Sequence, residues 1–448
     1  MNPKLQLIRC PVDDQSVAAD QWNMPLDLLV VGGAVDPRCD LEIIDGTLLG
    51  LDGVREKIDP SAACVGFTYT ALSARSLSVL AAECKDNGSV VIVGGQPATA
   101  AAGSLVKEEV IDAVCVGDGQ PTMRILSQQL LRGRVDLSGV PNVLLQEEGR
   151  QLRSASQAED VWRQVLPERH LGGLTPADYL GRYPDTNTLI NMTGSRALNI
   201  YSKRGCPHHC SFCARQDKRL RLRDPEGVAA EIASLVSAYG IDYVLDTSDT
   251  WLHRRWATGF ADARRQRGVS HIGMMVFADA REIDHKACQL MDACGVDSVL
   301  LGIESGSERV LARNGKAMTR RRIFKAVDDL VNAGIRVSCS FVLGLIGEDD
   351  HSLEETVALA AQLHKRPGVL CYGNVIMPLA GSRLWSEAFP GHRSWPSCIT
   401  RAFDYDLELV RELYVATATH IHGGLEALRD ACGRLLRTSR LPAKEYAR

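Results

Sequence analysis

The chain has 448 residues, 45% of them hydrophobic and 24% charged, and a formal net charge of -4. That length predicts two domains and an appendage at roughly 150 residues per domain, and the balanced charge, with no basic run, speaks against a nucleic-acid partner. No apolar stretch reaches the roughly 20 residues that span a bilayer, and the start, MNPKLQLIRCPVDD, lacks the long apolar core of a secretory signal, so a cytoplasmic protein without a membrane partner is expected.

Up to about residue 165, short apolar runs alternate with helical stretches. LDLLVVGG (26–33), LEIID (41–45), AACVGFTYT (62–70), VVIVGG (90–95) and AVCVGDG (113–119) read as strands, and 74–87 reads as a helix. The pattern predicts a doubly wound, Rossmann-like parallel sheet. NVLLQEEGRQLRS reads as strand, turn and strand, and a polar linker follows over 166–194. A second alternation occupies 195–400, with six strands around 198–201, 242–246, 271–277, 297–303, 336–342 and 369–377. Helices are expected over 225–239, capped by Asp224, and over 320–333, capped by Thr319. Six βα units predict a partial (β/α)6 barrel of the TIM type, with ligands at the carboxyl ends of its strands. Residues 401–448 read as a helical extension. The fold class is therefore α/β.

Of the 14 cysteines, most lie singly in apolar contexts and read as small buried hydrophobes in a reducing compartment. Cys206, Cys210 and Cys213, in YSKRGCPHHCSFCARQ, are different. CxxxCxxC on a loop directly after the first barrel strand lets three thiolates converge on a [4Fe-4S] cluster and leaves one iron open. An open iron can chelate the amino and carboxylate groups of S-adenosylmethionine (SAM), and an electron from the cluster can split its sulfonium into a 5'-deoxyadenosyl radical. A zinc site helped by His208 and His209 is the competing reading, but no second ligand motif with suitable spacing accompanies it.

At these residues the chain resembles the radical SAM superfamily, over roughly 195–385. The resemblance implies an electron donor such as flavodoxin or ferredoxin. It places Phe212 beside the adenine, and it assigns Ser248, Asp249 and Thr250 of VLDTSDTWL to the methionine amino group, although helix capping would use the same residue types. In GIESGS it assigns Glu304 and Ser305 to the ribose, with Gly302 and Gly306 making room. In SFVLGLIGE, Leu345 and Ile346 become an adenine wall or simply core. NVIMPLAGSRL matches a pattern that ends many such barrels and has a structural reading as well.

The first domain is similar to the cobalamin-binding domain of cobalamin-dependent radical SAM enzymes, through LEIIDGTLLGL, VGFTYTALS, IVGGQPAT and VGDGQPT. Between LDLLVVGG and LEIID only seven residues, AVDPRCD, remain, too few for a helical crossover. That reading predicts a degenerate domain with cobalamin unlikely. It makes the chain similar in architecture to the radical SAM diol dehydratase of apramycin biosynthesis. The implied reaction abstracts hydrogen from C4' of paromamine and eliminates the C3' hydroxyl as water, and an NADPH-dependent reductase acts downstream. Asp279, Glu282, Tyr372 and Asn374 are the candidates to hold such an aminosugar, each with a structural alternative, and no catalytic acid or base is identified. Cys371 and Cys398 are candidate hydrogen or electron donors, or packing. A cobalamin-dependent radical methyltransferase is the alternative function.

Overall fold

The computed structural model describes residues 2–13, 23–147, 150–154, 171–181, 196–215, 217–251, 253–390 and 405–438. Two α/β units follow one another. The first is a sheet of β1 (Lys4–Arg9), β2 (Asp40–Asp45), β3 (Cys64–Thr68), β4 (Val90–Gly94), β5 (Ala113–Cys115), β6 (Val143–Glu147) and β7 (Arg150–Arg153) in the order β2-β1-β3-β4-β5-β6-β7. Strands β1 to β5 run parallel, while β6 and β7 continue the sheet as the expected antiparallel hairpin. Helices α1 (Leu26–Gly32), α2 (Gly46–Lys57), α3 (Ala74–Asp86) and α4 (Gln96–Leu105) connect the parallel strands, and α5 (Gly119–Leu131) leads from β5 to the hairpin. In this order the direction of winding reverses between β1 and β3, and a doubly wound sheet opens a ligand crevice beyond the carboxyl ends of its strands at that point.

One expectation is corrected here. LDLLVVGG is a helix, α1, and the first strand is KLQLIR, 22 residues upstream in its start (Lys4 against Leu26). The buried positions of α1 are Leu26, Leu28, Leu29 and Gly32, a single helical face. That face packs on β2 so closely that a Cβ on Gly32 would stand 3.1 Å from Ile43 Cδ1. Polar Gln6 disguises the interior strand β1. It is fully buried, yet its amide donates to Glu42 (2.8 Å) and to the Lys57 carbonyl (2.9 Å) and accepts from Asp59 N (3.0 Å), so the strand tolerates it. The crossover helix inferred to be missing is thus present.

The second unit begins with β8 (Ala197–Ile200), then the two-residue arms β9 (Lys203–Arg204) and β10 (Arg221–Leu222), which pair antiparallel. The chain continues through α6 (Pro225–Tyr239), β11 (Tyr243–Asp246), α7 (Arg254–Gln266), β12 (Gly273–Asp279), α8 (His285–Ala293), β13 (Val296–Glu304), α9 (Glu308–Arg313), α10 (Arg320–Asn332), β14 (Arg336–Leu343), α11 (Asp350–Leu363) and β15 (Val369–Val375). These six longer strands form one parallel sheet, β15-β14-β13-β12-β11-β8, in sequence order. The sequence-read caps hold: Asp224 accepts from Gly227 N at 3.0 Å and Thr319 from Arg322 N at 3.2 Å. After α12 (Arg383–Ala388), helices α13 (Leu407–Ala418) and α14 (Gly424–Thr438) close the unit. Helix α14 lies against β15, where a Cβ on Gly373 would meet Leu435 Cδ1 at 2.4 Å. No helix among the described residues is long and apolar enough to cross a membrane.

Candidate active site

The three cysteines lie in the loop of the β9/β10 hairpin, all half-buried and free. Gly205 starts this loop at φ +84, and a Cβ there would stand 2.2 Å from the Arg219 carbonyl, so the crossing of the two arms requires glycine. Ser211, inside the motif, is the anchor. Its N–H donates to the Asn314 carbonyl at 2.9 Å, its hydroxyl donates to Asn314 Oδ1 at 2.5 Å, and its carbonyl accepts from Leu384 N at 2.8 Å. Asn314, fully buried, also donates to the Ile346 carbonyl at 3.0 Å. One side chain thus ties the cysteine loop to the GLIG turn, and the GSRL segment grips the loop from another side.

Among the described residues no three His, Cys, Asp or Glu side chains stand as a preformed metal cage. The donor set and its fixed backbone nevertheless suit a cluster, with side-chain rotation left to bring the thiols together. Burial pushes the Cys210 thiol up, against the opposing pull of Lys316 and Arg281, and burial raises Cys206 as well. His208 instead pairs with Glu282 at 3.1 Å, and Thr250 donates to the same carboxylate at 3.2 Å.

Beside Cys210, the ends of β12 and β13 carry a buried charge network. Lys316 Nζ lies 2.8 Å from Glu304 and 3.4 Å from Asp279, and Arg281 binds Asp279 at 2.8 Å. Burial opposes the charge on Lys316, but Glu304 and Asp279 outweigh it and hold its pKa above the ordinary value. Burial likewise opposes ionisation of Asp279, while hydrogen bonds from Arg281 and the charge of Lys316 keep its carboxyl below the usual range. Glu304 adopts φ +70, one of two described non-glycine residues in the left-handed region, a conformation kept only where surroundings enforce it. A Cβ on Gly302 would collide with Glu304 Oε1 at 2.5 Å and Lys316 Nζ at 2.8 Å, so Gly302 makes room for this ion pair.

The other sequence candidates separate. Asp249 is buried and accepts from Gly205 N at 2.7 Å while pairing with Arg215; burial raises its pKa against those partners. The Ser248 hydroxyl accepts from Ser202 N (3.0 Å) and Lys203 N (2.8 Å) and donates to Asp246 (2.5 Å), which ties the start of β9 to β11. The Ser305 hydroxyl lies 3.2 Å from Thr356, and Gly306 packs on α11, where a Cβ would meet the Glu355 carbonyl at 2.4 Å. Leu345 and Ile346 are buried, Phe212 is half-buried against the core, and Tyr372 is buried on β15 while Asn374 is exposed. Cys371 is buried beside Cys339, and Cys398 lies outside the described residues. Lys316, Arg281 and Asn314 were not singled out from the sequence; RNGK, a turn after a short helix, was the available signal.

A cavity of about 400 Å³ joins the two units. Its first wall is the carboxyl edge of the N-terminal sheet, with Arg9, Gly66, Thr68, Gly94, Gly117 and Gln120. Its second is the barrel mouth, with Asn199, Tyr201, Arg204, Arg215, Thr247 and Asp249. The β1/β3 switch point therefore faces the cysteine hairpin. At Gly117, φ is +95 and no atom would meet an added Cβ within 4 Å, so the backbone itself borders open space.

Residues 200–360 match the Radical SAM superfamily model. In sequence this stretch resembles radical SAM domains. Over 380 residues the chain is 27% identical to an uncharacterized methyltransferase of Pyrococcus horikoshii, covering 81% of this chain and 78% of that protein. It is also 27% identical over 324 residues to the anaerobic magnesium-protoporphyrin IX monomethyl ester cyclase of Rubrivivax gelatinosus, covering 70% of this chain but only 56% of the cyclase. In fold it resembles the radical SAM methyltransferase TsrM of Kitasatospora setae, solved with cobalamin and a [4Fe-4S] cluster bound, with a TM-score of 0.72, 16% identity, and coverage of 100% of this chain and 92% of that one.

Two expectations are overturned. The dehydratase reading rested on a degenerate first domain, whereas the domain is complete in its crossover and the chain matches methyltransferases in sequence and fold. The expectation that cobalamin is unlikely fails on the same ground: the whole chain, first domain included, superposes on a cobalamin-bound enzyme.

Proposed function

We propose that the chain is a cobalamin-dependent radical SAM methyltransferase that moves a methyl group from SAM to a small-molecule acceptor. The observation that carries this reading is the cavity at the β1/β3 switch point, walled by the N-terminal sheet on one side and by the mouth of the radical SAM domain on the other. Methyl transfer is favoured over ring closure because the methyltransferase relative is matched over 78% of its length and the cyclase over 56%. Cys206, Cys210 and Cys213 hold the cluster. Glu304 accepts from the ribose hydroxyls, held in place by Lys316. The glycine-lined sheet edge receives the corrinoid. When bound, the cluster supplies one electron to the sulfonium and the corrinoid a carrier for the methyl group.

Overall, the S–CH3 bond of one SAM breaks and a bond from that carbon to the acceptor forms, releasing S-adenosylhomocysteine. The acceptor's hydrogen leaves with the 5'-deoxyadenosyl group of a second SAM, whose cleavage to 5'-deoxyadenosine and methionine takes up the two electrons that the reductant supplies. Arg215, on the cluster loop, pairs with Asp249, which accepts from the loop's first glycine, and both line the cavity. The mouth residues Tyr201 and Thr247, which line the cavity, are the candidates to meet the acceptor. Anaerobic reconstitution with iron and sulfide, followed by incubation with cobalamin, a reductant such as reduced flavodoxin or ferredoxin, and SAM carrying a deuterated methyl group, tests the reading. Stoichiometric corrinoid and S-adenosylhomocysteine are expected. A protein that binds no corrinoid, or that makes no S-adenosylhomocysteine, defeats it.

A further inference from the structure

Gln120 lies in the first turn of α5, at the edge of the cavity, and is only 2% exposed. Neither its Nε2 nor its Oε1 has a hydrogen-bond partner among the described residues. Its neighbours are served: the Thr122 hydroxyl donates to the Pro141 carbonyl at 2.9 Å and lies 3.3 Å from Cys115 Sγ. Across the cavity lining, the buried hydroxyl of Tyr69 is likewise without a partner. Buried amides are almost always hydrogen-bonded, because losing water without replacement is costly. Two such groups lining one cavity point to a ligand that completes them.

The chemistry of that ligand follows from the amide. A primary amide offers one acceptor oxygen and two N–H donors, so its best complement is another primary amide, which returns both kinds of bond. A carboxylate would satisfy the N–H groups and leave Oε1 facing negative charge. The rim of a corrin ring in cobalamin carries neutral acetamide and propionamide arms. We infer that Gln120, assisted by Tyr69, recognises a primary amide on the corrin rim and so selects fully amidated corrinoids over corrinoid acids. This rests on the cobalamin reading above.

The test is absorbance titration of the full-length, anaerobically reconstituted protein with hydroxocobalamin, cobinamide and cobyrinic acid, comparing wild type with Gln120→Met and Tyr69→Phe. Methionine preserves length and removes both polar atoms. Gln120→Met is expected to weaken hydroxocobalamin and cobinamide about three- to tenfold, the range for one or two neutral hydrogen bonds. It should leave cobyrinic acid nearly unchanged, collapsing the preference, and Tyr69→Phe should give a smaller loss. The melting temperature without corrinoid separates recognition from folding. Since the unfilled amide burdens the corrinoid-free state, Gln120→Met should melt at the same temperature or higher. Equal affinities for wild type and Gln120→Met, equal losses for amidated and acidic corrinoids, or a lower melting temperature that accompanies the weaker binding would each overturn the inference alone. A wild-type protein that binds no corrinoid overturns the cobalamin reading with it.

Discussion

The carboxylate of Asp118 accepts two hydrogen bonds from the guanidinium of Arg221, at 2.8 and 3.1 Å, across 103 residues of chain. Asp118 ends the VGDG turn of the N-terminal sheet, and Arg221 is on the second arm of the hairpin whose loop bears the cysteines. Arg204, on the first arm, reaches the same carboxylate at 3.2 Å. One acidic group therefore clamps both arms. Both Asp118 and Arg221 side chains are about nine-tenths buried, so the clamp is not a screened surface pair. Asp118→Ala should cost about 3 kcal/mol, the penalty for stranding a buried partner, and should lower iron bound per chain after reconstitution. Removing the exposed pair Asp262–Arg265 on α7 should change stability by less than about 1 kcal/mol. Thermal unfolding and iron analysis read both effects.

Asn314→Ala should damage the cluster loop without touching a cysteine. It strands the Ser211 hydroxyl and the Ile346 and Val310 carbonyls, all served by the asparagine side chain. A loss of roughly 2–4 kcal/mol is expected, with a cluster that bleaches faster under air. Asn314→Asp, which keeps the acceptor, should recover part of it.

Glu304→Gln should act on SAM rather than on the fold. The amide keeps the volume above Gly302 but removes the charge that pairs with Lys316, which retains Asp279. A charge-assisted hydrogen bond to a ribose hydroxyl lost in this way raises the KM for SAM about tenfold. Steady-state kinetics at several SAM concentrations should show KM rising more than kcat falls.

Glu348 makes stability depend on pH. Burial pushes its carboxyl up to about 7, against hydrogen bonds from Gly344 N and Leu345 N. The folded chain therefore holds this proton over a range where the unfolded chain has released it. Stability falls as pH rises from about 4.5 to about 7 and levels off above, by an amount on the order of a few kcal/mol. In denaturant titrations, Glu348→Gln should match wild type near pH 5 and exceed it at pH 8.

The sequence made the second unit legible because its elements are punctuated. Asp224 and Thr319 cap their helices by side-chain hydrogen bonds, and each parallel strand is a dense apolar run. It failed at the other end of the chain, where β1 contains Gln6 and ends in Arg9, while α1 is an apolar run followed by two glycines. Runs of that length carry no period that separates strand from helix, and the partners that reconcile Gln6 with burial, Glu42 and Lys57, are 36 and 51 residues away. The same limit applies to the site. The cysteines and Glu304 lie in recognisable motifs, but Lys316, Asn314 and Arg221 acquire their roles only from neighbours that folding brings to them.

Asn199, buried inside the barrel mouth on β8, donates from its amide to the Met24 carbonyl at 3.0 Å, a bond that crosses from one unit to the other. Together with Arg204 and Arg221 it means that a barrel cut loose at residue 196 would expose an amide and two guanidinium groups shaped for a surface no longer there. The two halves are not interchangeable cassettes. Grafting a different barrel onto this N-terminal sheet would require transplanting the complementary turns at residues 24 and 118 along with it.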